Sequence, residues 1–223
     1  MGQRQLCSSR PISLPKIAAK SRLAGCHVTT IGCIALGCAA TRAGPTQHFQ
    51  HNIDMIKPQT KVPELSVQTI GGEEWKLGDQ SPEHFTFVFF YRGYHCPICK
   101  SYLRSIDRKF DELSSMGINA IAISSDSEDR AKKSKDEWKI ENLPIGYELP
   151  IDKARQWGLY VSKAIKSEEP EVFSEPGLFI VRPDGELYAS SIQTMPFTRP
   201  GIDELISGFQ FIIEKGYPGR GEA

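Results

Sequence analysis

The chain has 223 residues, 39% hydrophobic and 24% charged, with 27 basic and 27 acidic side chains. That length suffices for one domain of ordinary size with a proper core, and the composition excludes a disordered or membrane-spanning protein. The neutral balance hides an asymmetry: residues 1–53 carry Arg4, Arg10, Lys16, Lys20, Arg22 and Arg42 with no acid before Asp54, leaving the remainder at a net −6, which argues against nucleic-acid or membrane partners for the folded part.

The first 54 residues hold neither a strict alternation nor a sustained helical stripe, because Pro11, Pro15, Gly25, Gly32, Gly37, Gly44 and Pro45 interrupt every candidate element. Three readings stand side by side: a secretory signal with a long basic front, an acid-free organelle transit peptide, or a segment ahead of a true start at Met55. The apolar run from Val28 to Ala40 is too short to span a membrane, which needs about 20 residues. "LAGC" at 23–26 has the form of a lipoprotein cleavage box, but Lys20 and Arg22 occupy the place of its apolar stretch. The segment 1–54 is therefore expected to be a disordered, targeting or removed leader, and 55–223 a single domain. A start at Met55 would make the protein cytoplasmic.

After Met55 the punctuation becomes regular. "ELSVQTI", Gly71-Gly72 and "EEWKL" predict a short hairpin. "FTFVFFY" (85–91) predicts a central strand buried on both faces. Cys99, Leu103, Ile106, Phe110 and Leu113 then recur at helical spacing, predicting one helix to about Met116, closed by Gly117. "INAIAIS" (118–124) is the next strand, and "SEDRAKKSKDEWKI" a helix whose charges form a solvated face. "IGYELPID" reads as a short strand, "KARQWGLY" as a short helix, and "GLFIV-RPDG-ELYASSI" as a hairpin turning at Pro183, Asp184 and Gly185. A closing helix spans 202–215. Strand, helix and strand in succession favour a parallel pair with a right-handed crossover, and the late hairpin adds an antiparallel edge. The expected class is α/β: a thioredoxin-like mixed sheet flanked by helices, with an N-terminal hairpin extension.

Four of the six cysteines, Cys7, Cys26, Cys33 and Cys38, lie in the first 53 residues, and only Cys96 and Cys99 follow. So uneven a spread in so long a chain is not a disulfide framework. The pair Cys96-Pro97-Ile98-Cys99 is the chemical centre of the sequence. Proline suits the first position of a helix, where its missing N–H costs nothing. Cys96 then falls at the cap, facing the free amides of the first turn, where a thiolate is favoured over a thiol. Cys99 lies one turn on, in line with the buried stripe. An exposed, acidic nucleophile beside a shielded resolver is what thiol–disulfide chemistry needs. Two plain core cysteines are the bland alternative. Zinc needs four ligands, and His95 and His84 do not complete a set, so neither a metal nor a cofactor is expected.

"FVFFYRGYHCPICKSYL", "EPGLFIVRPDGELYASSI" and "MPFTRPGIDELISGFQFIIEKGYPGRG" resemble the peroxiredoxin-like branch of the alkyl hydroperoxide reductase/thiol-specific antioxidant (AhpC/TSA) superfamily, from about Val62 to Gly221. The resemblance implies a thioredoxin fold, a redox thiol at Cys96, Cys99 as its second cysteine, and a thioredoxin- or glutathione-type reductant. It also implies departures. Where typical members carry a proline seven residues before the reactive cysteine and a threonine or serine three before, this chain has Phe89 and Gly93. Where they carry an arginine before the "GLFIV" strand, it has Glu175-Pro176. Such groups orient a peroxide and stabilise charge as its O–O bond breaks. Arg92 or Arg199 could take their place, although each also reads as a surface or loop-anchoring residue. Pro176 matches the place of a cis-proline in thioredoxins and disulfide oxidases, or is a plain strand-entry proline. Tyr94 and His95 could tune Cys96, a protonated histidine lowering its pKa. Both a hydroperoxide and a protein disulfide remain open as substrates, the departures leaning toward disulfide exchange. A non-catalytic, thioredoxin-fold binding or sensing module is the alternative of another class.

Overall fold

Phe85–Phe90 is buried at every residue, because this strand (β3) has a partner on each side and helices on both faces. It pairs in parallel with β4 (Ile118–Ile123), register Phe85 to Ile118 through Phe90 to Ile123, and antiparallel with β8 (Gly177–Val181). The computed structural model describes residues 55–223; the leader expected at 1–54 lies outside them. Around β3 the sheet has seven strands in the order β2 (Glu74–Lys76), β1 (Ser66–Thr69), β5 (Ile145–Tyr147), β4, β3, β8 and β9 (Leu187–Ile192). The predicted entry hairpin is β1 (Ser66–Thr69) with β2 (Glu74–Lys76), which joins the sheet through β5 (Ile145–Tyr147). β9 (Leu187–Ile192) completes the late antiparallel hairpin at the opposite edge, as expected.

The pleat sends alternate β3 side chains to two cores. Phe85, Phe87 and Phe89 meet α1 (Pro97–Arg108), α3 (Glu128–Trp138) and α5 (Ile202–Lys215). Val88 and Phe90 meet α4 (Ile151–Gln156) and Trp157 on the other face. This α/β layering is the thioredoxin-like arrangement expected from the element order.

Two details differ from the sequence reading. The helix expected to run to Met116 breaks at Lys109, giving α1 and a separate α2 (Phe110–Ser115). The Lys109 N–H closes back on Ile106, a tight three-residue turn, and a fresh helix starts from the Lys109 carbonyl. The α1 stripe is fixed before the break, because Asp107 is buried and accepts from the amides of Asn142 and Leu143 at 2.8 Å and Glu141 at 3.2 Å. The second difference is a small separate hairpin, β6 (Val161–Lys163) with β7 (Val172–Ser174), between α4 and β8. Among the described residues no helix is long and apolar enough to cross a membrane.

Candidate active site

β3 delivers the chain to the site. After Phe90, the Tyr91 N–H still bonds the Ile123 carbonyl at 3.0 Å, and the backbone then turns at Gly93, φ +124°. A side chain does not fit there: a Cβ would sit 2.6 Å from Asp126 Oδ2. That carboxylate instead accepts from the Tyr94 N–H at 2.6 Å and from Arg130 Nε at 2.7 Å. Asp126 thus fills the place left by the absent hydroxyl at residue 93 and holds the loop before Cys96.

Pro97 opens α1, and Cys96 is its N-cap, with extended backbone (φ −102°, ψ 101°). The Cys96 sulfur accepts from the Cys99 N–H at 3.3 Å, so the predicted cap geometry is present. Both cysteines are free thiols. The Cys96 thiol is brought down to about 7, first by the Cys99 thiol donating to it, with help from the Cys99 amide and the charges of Arg92 and Arg199, against the opposing effect of burial. Cys99 goes the other way: burial, then its hydrogen bond to Cys96 and the Cys96 charge, push it well above the ordinary thiol range. One acidic and one proton-holding sulfur therefore share a single helical turn.

Cys96 is not the exposed residue anticipated. It is 2% exposed and Cys99 0%, while Ile98 between them stands 41% exposed. The cap is drawn inward because β3 ends within the core and Asp126 pulls the following loop beneath α3.

Two arginines approach the sulfurs. Arg92 lies within the loop, its guanidinium 3.6 Å from Glu169 and 3.5 Å from Glu175, over the Phe173 ring. Arg199, on the β9–α5 connection, puts Nη1 3.9 Å from Cys99 Sγ and stacks against Tyr102 and Phe89. Both are half-buried, and the ion pairs of Arg92 with Glu169 and Glu175 fit the loop-anchoring reading. The Glu175 carboxylate, at the position where the family resemblance implies an arginine, accepts from Ser162 at 2.6 Å and faces Arg92.

His95 lies against a cation: its Nδ1 is 3.4 Å from Arg130, its ring meets Phe173 edge-on at 4.7 Å between centroids, and burial lowers its pKa. Pro176 enters β8 as a trans proline, every described peptide bond being trans, and its carbonyl accepts from the Gln193 N–H. The cis-proline reading is thereby corrected to the strand-entry one. Arg130 likewise departs from the solvated face assigned to its helix. Asp126, Glu169 and Phe173 were not singled out in the sequence: each reaches the cysteine loop only through the fold, and no local motif marks them. Among the described residues, no group of three or more His, Cys, Asp or Glu side chains is placed to hold a metal ion.

The model of the AhpC/TSA family matches residues 58–190. No curated protein matches the sequence. Among solved structures, the chain is similar to the peroxidoxin BcpB from Mycobacterium tuberculosis (14% identity, TM-score 0.59, 70% of this chain and 98% of that one). It is similar to peroxiredoxin 6 of Arenicola marina (16%, 0.60, 72% and 75%) and to AhpC of Enterococcus faecalis (20%, 0.58, 73% and 98%). At these identities the solved structures speak for the fold; the family match carries more. It brings, in general terms, a peroxide to be reduced and a reductant to restore the thiol. The chain belongs to the AhpC/TSA family and is a thiol-dependent oxidoreductase.

Proposed function

We propose that the protein reduces small hydroperoxides with Cys96 as the attacking thiolate and Cys99 as the resolving thiol. The observation that carries this is the shared first turn of α1, in which Cys96 is acidic and accepts from the Cys99 amide while Cys99 keeps its proton. The Cys96 thiolate attacks the terminal oxygen of the hydroperoxide; the O–O bond breaks, Cys96 becomes a sulfenic acid, and the alkoxide leaves as an alcohol after taking a proton. Cys99 then attacks the sulfenic sulfur. An S–S bond forms, and the hydroxyl departs as water with the proton that Cys99 gave up. A dithiol of thioredoxin type, or glutathione, reduces the disulfide and restores both thiols. A cytoplasmic setting would supply either.

The 2% exposure of Cys96 favours a small peroxide over a protein disulfide, whose sulfur would need a wide opening. It reverses the lean toward disulfide exchange. Burial of both sulfurs would also suit a non-catalytic module, but such a module has no need of a thiol held near neutrality.

The test is peroxide consumption by the purified chain. Cys96→Ser should abolish it. Cys99→Ser should complete one oxidation, leave a trappable sulfenic acid on Cys96, and stop turning over with a thioredoxin-type reductant. Wild-type reactivity should rise with pH through about 7 as Cys96 ionises. Undiminished consumption by Cys96→Ser, or reduced wild-type protein that exchanges disulfides but leaves peroxide untouched, would sink the reading.

A further inference from the structure

Among the described residues, Arg199 differs from the other cations near the site in having no carboxylate to pair with. Arg92 faces Glu169 and Glu175, and Arg130 is bonded to Asp126. Among the described residues no carboxylate lies within ion-pair distance of Arg199. Its Nε and Nη2 are buried without a hydrogen-bond partner, and its Nη1 points at sulfur. The side chain is nonetheless held firmly. Its guanidinium lies 4.5 Å from the Tyr102 ring centroid and 5.3 Å from that of Phe89. The Tyr102 hydroxyl donates to the next residue's carbonyl, Pro200, at 2.8 Å. A buried, unpaired charge is costly unless an anion compensates it.

The sulfur it contacts is Cys99, not Cys96. We propose that Arg199 serves the resolving step: its guanidinium takes up the negative charge that Cys99 acquires when it releases its proton to attack the Cys96 sulfenic acid. This rests on the peroxide-reducing reading above. In the reduced protein the anion near Arg199 is the Cys96 thiolate, and that same thiolate opposes ionisation of Cys99. Oxidation turns Cys96 into a neutral sulfenic acid. The repulsion that kept the proton on Cys99 vanishes at that moment, and among the described residues no anion then remains beside Arg199. Both changes favour the Cys99 thiolate, so the negative charge passes from one cysteine to the other only after the first has reacted. The proton of Cys99 leaves on the departing hydroxyl as water, and the S–S bond replaces the S–O bond. The other charged or titratable groups around Cys99 are Cys96 at the cap of its helix, Tyr102 on that helix, and Tyr91 and Arg92 in the loop after β3, with Asp126 behind Tyr91. Of these only Arg92 is a cation, and it is already paired.

The full chain, mixed rapidly with hydrogen peroxide and quenched with acid or a sulfenic-acid trap, separates a peroxide-dependent phase (sulfenic acid on Cys96) from a peroxide-independent one (disulfide). In Arg199→Gln the second phase should slow by about 10-fold or more at pH 7, its pH dependence should move upward, and sulfenic acid should accumulate. Arg199→Lys keeps the charge and should return the pH dependence toward that of the wild type; it also provides the comparison if the glutamine variant folds poorly. A second phase unchanged in rate and pH dependence in Arg199→Gln, or shifted equally in both variants, overturns the proposal while leaving peroxide reduction by Cys96 intact. Absence of any sulfenic acid or disulfide in the wild type would instead remove the parent reading.

Discussion

A methyl group added at residue 93 would collide with the Asp126 carboxylate, and φ there is +124°, where side chains are strained. Backbone strain of about 1–3 kcal/mol and overpacking of about 1–3 kcal/mol both apply. Gly93→Ala should therefore lower stability by roughly 2–6 kcal/mol, read as a reduced midpoint in denaturant unfolding; a loss under 1 kcal/mol would mean that the loop is not clamped as described. The residues at this scale divide by how local their signal is. Pro97 announces the cap of α1 because the first helical position tolerates a missing N–H, and Cys96 follows from it within one residue. Asp126 gives no such sign. It stands 32 positions from Tyr94, inside a run of serines and acids that reads as an ordinary helix start, and only parallel pairing of β3 with β4 brings it to the loop. The same distance explains why Cys96 looked exposed in sequence: the cap geometry is local, whereas its cover is not.

The β6–β7 hairpin shows the limits of pattern at the element scale. Its strands are three residues each, flanked by Lys, Ser and Glu, and Phe173 is its one fully buried apolar side chain, so no alternation betrays it. By contrast α5 occupies the predicted 202–215, where fourteen residues repeat one apolar face and Gly216 ends the helix in the left-handed region. The hairpin is fastened to the cysteine loop through Phe173, which carries the Arg92 guanidinium at 4.8 Å and the edge of His95 at 4.7 Å, and through the two carboxylates on Arg92. A small unit tied by one aromatic should open separately from the sheet. Phe173→Ala should raise amide hydrogen exchange across 161–174 well before that of β3 and β4. If the whole sheet loses protection together with it, the hairpin is an integral part of the core instead.

At the scale of the molecule, β3 and its two neighbours form a rigid floor, and the reacting atoms lie at the edge of that floor within a single turn of α1. A bridge between residues three apart in a helix needs no unwinding, since their Cα atoms lie about one 5.4 Å pitch apart, inside the span a disulfide accepts. Oxidised and reduced protein should accordingly give superimposable far-ultraviolet circular dichroism; a loss of helix on oxidation would show that the first turn must melt to form the bond. Cys96 is made acidic first by the Cys99 thiol and amide within its own turn, and the charges of Arg92 after β3 and Arg199 beyond β9 add to that. The last of these is synthesised about a hundred residues after the cysteine it serves. A chain still emerging from the ribosome therefore holds Cys96 and Cys99 without Arg199 beside them, and Cys96 gains its full acidity only once the chain is complete and folded, so that part of its reactivity is itself a product of folding.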